Sequence, residues 1–246
     1  MDLRGRVALV TGGGRRVGRA LALALGERGA TVAVHFNDAS AGADDVVKAI
    51  AGAGGKSRAF GADLTDPDAP ATLVTQIVDT FGQLDVLVNS AAIMVRTPFG
   101  EVDATTWDRM FALNLRAPFL LSQAAAPHLR RTRGAIVNIS DLAAFETWPA
   151  YIPHGITKAG VNQITRNLAR MLAPEVRVNG IAPGTVLLPD GWSEADSKRL
   201  SETTPLGRPG SPADVVAAML YLLDADYVTG DTIVVDGGRH VRGSST

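Results

Sequence analysis

The segment Thr11-Gly12-Gly13-Gly14-Arg15-Arg16-Val17-Gly18 gathers residue types that bind phosphate. It follows the apolar run Val7 to Val10 and opens a run with helical spacing, Val17 to Arg28. A Gly-rich turn between a strand and a helix lets backbone N–H groups approach a pyrophosphate, whose charge is favoured at the helix N-terminus. The order strand, turn, helix carries this reading more than the glycines do. Two adjacent arginines add charge that can grip a further phosphate. At the end of the second apolar run, where an NAD site places an acidic residue for the ribose hydroxyls, stand Phe36 and Asn37. Both features predict NADPH, with NADH less favoured. Asp38 argues weakly the other way, because a carboxylate repels a 2′-phosphate.

Composition narrows the chemistry further. Lys plus Arg is 24 and Asp plus Glu is 25, a net charge of −1 that offers no general attraction to nucleic acid or to anionic membranes. With 0 Cys there is no disulfide, thiolate metal site or cysteine nucleophile, and no metal site is expected. No apolar stretch reaches the roughly 18 residues of a membrane-spanning helix. Met1 to Arg6 is charged and leads straight into Val7-Ala8-Leu9-Val10, too short for the apolar region of an export signal, so a cytoplasmic location is expected.

Seven short apolar or β-branched runs read as strands: Val7 to Val10, Thr31 to Phe36, Ser57 to Phe60, Leu84 to Asn89, Ala135 to Ser140, Val176 to Ile181 and Thr232 to Val235. Between them, Val17 to Arg28, Ala41 to Ala51, Pro67 to Phe81, Thr105 to Leu129, Pro153 to Leu172 and Pro212 to Leu223 carry apolar residues at three- and four-residue steps. Strands of continuous apolar character are buried on both faces. The expected architecture is therefore one Rossmann-type α/β domain over 1–246, a parallel sheet with helices on both sides. Gly184 to Ser211, with Pro189, Pro205 and Pro209, lacks clear regularity and is expected to be a substrate-binding loop. The tail Gly243 to Thr246 is expected to fray.

Several motifs beyond the first turn give the chain a resemblance to the short-chain dehydrogenase/reductase family over essentially its whole length. Ala62-Asp63-Leu64-Thr65 looks like that family's adenine-contacting segment, and Val88-Asn89-Ser90-Ala91-Ala92 occupies the place of its Asn-Asn-Ala-Gly motif. Asn114 matches its helix Asn. Arg177-Val178-Asn179-Gly180-Ile181-Ala182-Pro183-Gly184 is similar to its sixth-strand segment, whose Pro-Gly turn touches the nicotinamide, and Asp236-Gly237-Gly238 closes the pattern. The resemblance implies a cofactor-binding set of Gly12, Arg15, Arg16, Val17, Asn37, Asp63, Leu64, Asn89, Ala91, Lys158, Pro183, Gly184 and Val186. Within the family, Arg16, Asp141 and the ending Asp236-Gly237-Gly238-Arg239-His240 are similar to the pteridine and dihydromonapterin reductases. That likeness implies that Arg16 helps hold cofactor phosphate and substrate. Family members commonly form homotetramers, implied here through the segments Thr105 to Leu129 and Pro153 to Leu172.

The family's Tyr-x-x-x-Lys is represented by His154-Gly155-Ile156-Thr157-Lys158, with His in place of Tyr. Tyr151 does not rescue the pattern: seven residues from Lys158 is about 10 Å along a helix, against about 6 Å for four, and Pro153 suits the first helical turn. Asp141 precedes His154 by the family's separation between its Ser, or Asp in pteridine reductases, and its Tyr. Asn114, Asp141, His154 and Lys158 are thus the candidate catalytic residues. A His beside an Asp can be fixed in one tautomer with its protonated form stabilised, as a proton donor requires, while Lys158 opposes that protonation. A carboxylate in place of Ser suits a basic nitrogen, so the favoured reaction is reduction of a C=N bond in a pteridine-like or cyclic imine substrate. The alternatives are a carbonyl reductase or alcohol dehydrogenase using His154 as acid, and a nucleotide-binding protein with impaired catalysis. Met94 stands where the pteridine group has a stacking aromatic, Ala92 replaces a hydroxyl-bearing residue, and Trp148, Tyr151 or Trp192 could offer another stacking face.

Overall fold

The computed structural model describes residues 1–38, 40–187 and 193–241. Seven strands form one sheet: β1 Val7–Val10, β2 Thr31–Phe36, β3 Ser57–Gly61, β4 Val86–Asn89, β5 Ala135–Ile139, β6 Arg177–Pro183 and β7 Thr232–Val235. Their order is β3-β2-β1-β4-β5-β6-β7 and every pairing is parallel. This is the Rossmann-type arrangement. The helices are α1 Arg16–Glu27, α2 Ala41–Gly52, α3 Ala69–Phe81, α4 Ala104–Phe111, α5 Ala117–Thr132, α6 Ile152–Leu172, α7 Glu194–Thr203 and α8 Pro212–Asp224.

The central strands are predominantly apolar because both faces are covered. On one side Ala8, Val10, Val32 and Val34 pack with Leu21 and Leu25 of α1, Val46 and Ile50 of α2, and Val215 and Met219 of α8. On the other, Val7, Leu9, Leu87, Ile136 and Val178 pack with Leu73 and Ile77 of α3, Leu121 and Leu129 of α5, and Leu172 of α6. Each fully buried Leu or Ile side chain contributes about 1.5–3 kcal/mol of apolar transfer. The sheet order reverses between β1 and β4, whose carboxyl ends open the crevice where ligands bind in open α/β sheets.

Two expectations need correction. Thr105 to Leu129 is helical throughout but not uniformly α: Ala112–Arg116 forms a π turn between α4 and α5. Apolar spacing persists through such a turn, so periodicity hides it. Gly184 to Ser211 is not uniformly irregular, since it contains α7. That helix buries only Leu200, which leaves no apolar periodicity to read, and it is started instead by a reciprocal capping box between Ser193 and Asp196. No helix among the described residues is long and apolar enough to cross a membrane. The tail 243–246 and Trp192 lie outside the described residues.

Candidate active site

The Gly-rich turn leaves β1 and enters α1 at the crevice. Gly12 has φ +64°, in the left-handed region, and a Cβ there would stand 3.1 Å from Cα of Ala91. At Gly18 a Cβ would lie 2.2 Å from the Gly12 carbonyl oxygen, so only glycine lets α1 come this close to the turn. Thr11 Oγ1 accepts from the N–H groups of Ser90 at 2.9 Å and Ala91 at 3.0 Å, tying the turn to the end of β4. The first-turn N–H groups of α1 have no intrahelical acceptor. Arg15 caps the helix in extended conformation, Arg16 starts it at φ +50°, and both side chains are exposed. The turn is thus built to receive an anion, and its geometry fits a dinucleotide pyrophosphate.

The other candidate cofactor contacts lie along the carboxyl ends of the strands. Asn37 and Asp38 follow β2 and are exposed. Past β3, Asp63 is exposed and accepts from Thr65 N–H at 2.9 Å and Thr65 Oγ1 at 2.7 Å, bonds that hold its carboxyl below the usual carboxylate range. Leu64 is buried in the core, so only its backbone is available. Asn89 is likewise buried, donating to Asn138 Oδ1 at 2.8 Å and Ser122 Oγ at 3.3 Å, while its own Oδ1 has no partner among the described residues. Pro183 ends β6, Gly184 follows, and Val186 is buried against Gly210.

At the ends of β5 and α6 the structure brings Asp141, His154 and Lys158 together. Asp141 follows β5 in extended conformation, and its Oδ1 accepts from Ala143 N–H at 2.8 Å, capping the short 3-10 turn Leu142–Ala144. Its Oδ2 faces Nε2 of His154 at 3.6 Å, an ion-pair distance that is too long for a hydrogen bond. The His154 residue is 2% exposed, and neither ring nitrogen has a hydrogen-bond partner among the described residues. A buried donor or acceptor left unpaired costs about 1–3 kcal/mol. Lys158, one turn further along α6, donates from Nζ to the carbonyl of Ile139 at 2.8 Å. Burial pushes its ammonium down to about 8, with the Asp141 charge acting in the opposite direction.

Tyr151 lies just outside α6 and Pro153 in its first turn, as the spacing required. Asn114 does not join the trio through its side chain. From the π turn its Oδ1 accepts from Ile93 N–H at 2.9 Å, and its Nδ2 donates to Ile93 O at 2.8 Å and Thr157 Oγ1 at 3.4 Å. It therefore pins the chain after β4 against α6. Trp148 Nε1 donates to Glu146 at 2.8 Å and its ring meets Tyr151 edge-on at 6.2 Å, while Met94 is 49% exposed. Sequence reasoning passed over His35, whose ring braces the turn from within the apolar strand β2; a polar residue inside an apolar run was the available signal.

The profile described as enoyl-(acyl carrier protein) reductase matches residues 13–240. A 3-oxoacyl-[acyl-carrier-protein] reductase of Staphylococcus aureus is 35% identical, with 95% of this chain and 98% of that protein aligned. A 3beta-hydroxysteroid dehydrogenase of Eggerthella lenta is 34% identical, over 96% of this chain and 94% of that one. Among solved structures, a short-chain dehydrogenase/reductase from Serratia marcescens superposes with a TM-score of 0.91 at 33% identity, covering 98% of this chain and 100% of its own. With a profile match and relatives of this identity running nearly end to end, the chain belongs to the short-chain dehydrogenase/reductase family and is an NAD(P)H-dependent oxidoreductase.

Proposed function

We propose that this enzyme uses NADPH to reduce a C=N bond in a small cyclic substrate, an imine or a pteridine-like ring. The observation that carries the reading is the Asp141–His154 ion pair at 3.6 Å, with neither buried ring nitrogen hydrogen-bonded among the described residues. An ionised carboxylate only accepts hydrogen bonds, as does a ketone oxygen, so the two are poor neighbours; a protonated C=N nitrogen donates and is matched to it. When bound, the nicotinamide supplies the hydride. On the protein's side, Arg15 and Arg16 hold the phosphates, the Lys158 ammonium takes the nicotinamide ribose, and Asp141 stabilises the cationic nitrogen. His154 Nε2 delivers the proton that the nitrogen keeps as the adjacent carbon is reduced. The remaining cofactor contacts come from Gly12, Val17, Asn37, Asp63, Ala91, Pro183, Gly184 and Val186, and from the backbone at Leu64 and Asn89. Of the expected substrate-binding segment, the described residues 184–187 and 193–211 follow β6 and are assigned to the substrate side of the site.

A second reading, carbonyl reduction with His154 as the acid, is favoured by the names of the relatives, which act on 3-oxoacyl and hydroxysteroid groups. Loss of NADPH absorbance in the presence of cyclic imines, dihydropterins and matched cyclic ketones separates the two. Turnover of the nitrogen compounds is the expected result; turnover confined to ketones overturns the C=N assignment.

A further inference from the structure

His35, on β2, is 2% exposed and takes part in no step described above. Its Nδ1 accepts from the backbone N–H of Gly12 at 3.1 Å, and its Nε2 lies 2.9 Å from the carbonyl oxygen of Ala62. Its own carbonyl accepts from Gly13 N–H at 3.0 Å. Gly12 opens the Gly-rich turn and Ala62 opens the segment carrying Asp63 and Leu64. One ring therefore ties together the two stretches of chain that flank the adenosine half of the dinucleotide site.

Only one state of the ring satisfies both contacts: neutral, with the proton on Nε2. The other tautomer confronts the Gly12 N–H with a donor and the Ala62 carbonyl with a lone pair. The imidazolium keeps the Ala62 bond but sets Nδ1–H against Gly12 N–H. We propose that His35 is a positioning residue for the cofactor: as the Nε2–H tautomer it latches the Gly-rich turn to the segment after β3, and protonation of the ring releases Gly12 and weakens dinucleotide binding. The proposal rests on the dinucleotide site assigned above.

Burial holds the ring below the ordinary histidine range, with the Ala62 carbonyl and the Asp63 charge acting in the opposite direction, so the latched form prevails near neutral pH. The charged groups around it come from each neighbouring element. After β3 stands Asp63, whose carboxylate also interacts with Arg109 of α4. On β3 itself, Arg58 lies over the ring of Phe60, the residue paired with His35. The latched turn contributes Arg15 and Arg16.

The test titrates NAD⁺ and NADP⁺ into the wild type and His35→Asn from about pH 7.5 to about pH 5.5. Using both nucleotides separates the latch from the choice of phosphate form, and NAD⁺ lacks the 2′-phosphate, which itself titrates near about pH 6. The wild type should lose affinity toward acid, approaching about tenfold per pH unit once the free protein's ring titrates. The Asn amide oxygen can accept from Gly12 but does not titrate, so His35→Asn should show a flatter profile. Equal acid slopes for NAD⁺ overturn the latch. Failure of the wild type to bind either nucleotide at neutral pH overturns the dinucleotide site, and the latch with it. Should His35→Asn not fold, nitrogen NMR of the wild-type ring decides: a proton on Nδ1 at neutral pH overturns the proposal, and one on Nε2 that gives way to imidazolium as dinucleotide affinity falls supports it.

Discussion

Oδ2 of Asp141 lies 3.6 Å from Nε2 of His154, and nothing else among the described residues pairs with that imidazole. The other carboxylate oxygen is committed to Ala143 N–H, which fixes the group's orientation and leaves Oδ2 to act on the ring and on whatever enters beside it. One side chain thus both starts a turn and supplies charge to the site.

Because proton donation typically contributes about 10²–10⁴-fold to rate, His154→Ala should lower turnover by that order while leaving NADPH affinity nearly unchanged. Asp141→Asn keeps the cap on Ala143 through its amide oxygen but removes the charge, so its loss should be larger with an imine than with a ketone. His154→Tyr should help only a carbonyl reductase. Steady-state rates of the three variants on paired substrates measure this, and full turnover by His154→Ala with hydride transfer rate-limiting removes His154 from the proton path.

Lys158 links pH to stability with a definite sign. Its ammonium is held below the ordinary 10.5, at about 8, so the charged form is disfavoured in the folded protein relative to the unfolded chain. The resulting penalty, on the order of 3 kcal/mol, is complete below the folded value and fades as pH rises toward the unfolded one. The Tm of the wild type relative to Lys158→Met should therefore climb between about pH 8 and about pH 10. Over the same interval NADPH binding should fall, as the ammonium proposed to hold the ribose is lost. A Tm difference that does not change with pH contradicts the assignment.

The fold was legible where burial is two-sided. Val7–Val10 and Thr232–Val235 stand where their apolar runs placed them, and Pro153 sits in the first turn of α6, where its missing N–H costs nothing, with Tyr151 at the N-cap. What escaped was held by local polar chemistry: α7 by its capping box, and the bracing of the Gly-rich turn by His35, whose partners at Gly12 and Ala62 are 23 and 27 residues distant. The site divides in the same way. Convergence of Asp141, His154 and Lys158 follows from spacing on one strand end and one helix, whereas the attachment of Asn114 to Ile93 depends on a π turn that periodicity cannot register.

Exposed apolar side chains on α5 and α6 bear on assembly. Phe119 is 42%, Ile156 44% and Met171 68% exposed. Such residues favour burial against a symmetry-related copy, and a homotetramer built through these helices is the expected state. Light scattering at micromolar concentration should give four chains per particle, with Phe119→Asp or Ile156→Asp shifting the population toward smaller species. A wild-type monomer defeats the expectation.

Arg16 occupies a backbone conformation, φ +50°, that glycine adopts without strain and an arginine does not. A left-handed non-glycine residue costs roughly 1–2 kcal/mol, and the side chain is exposed, so no packing in the fold offsets that strain. The phosphate contact proposed for Arg16 would account for an arginine at this position. Arg16→Gly should leave Tm unchanged or raise it while weakening NADPH about ten- to a hundredfold, the loss of one charge-assisted phosphate contact. NADH should lose less if the contact is to the 2′-phosphate and as much if it is to the pyrophosphate, so calorimetric titration with both nucleotides also says which phosphate Arg16 holds. An Arg16→Gly protein that binds NADPH as tightly as the wild type rules out a phosphate contact.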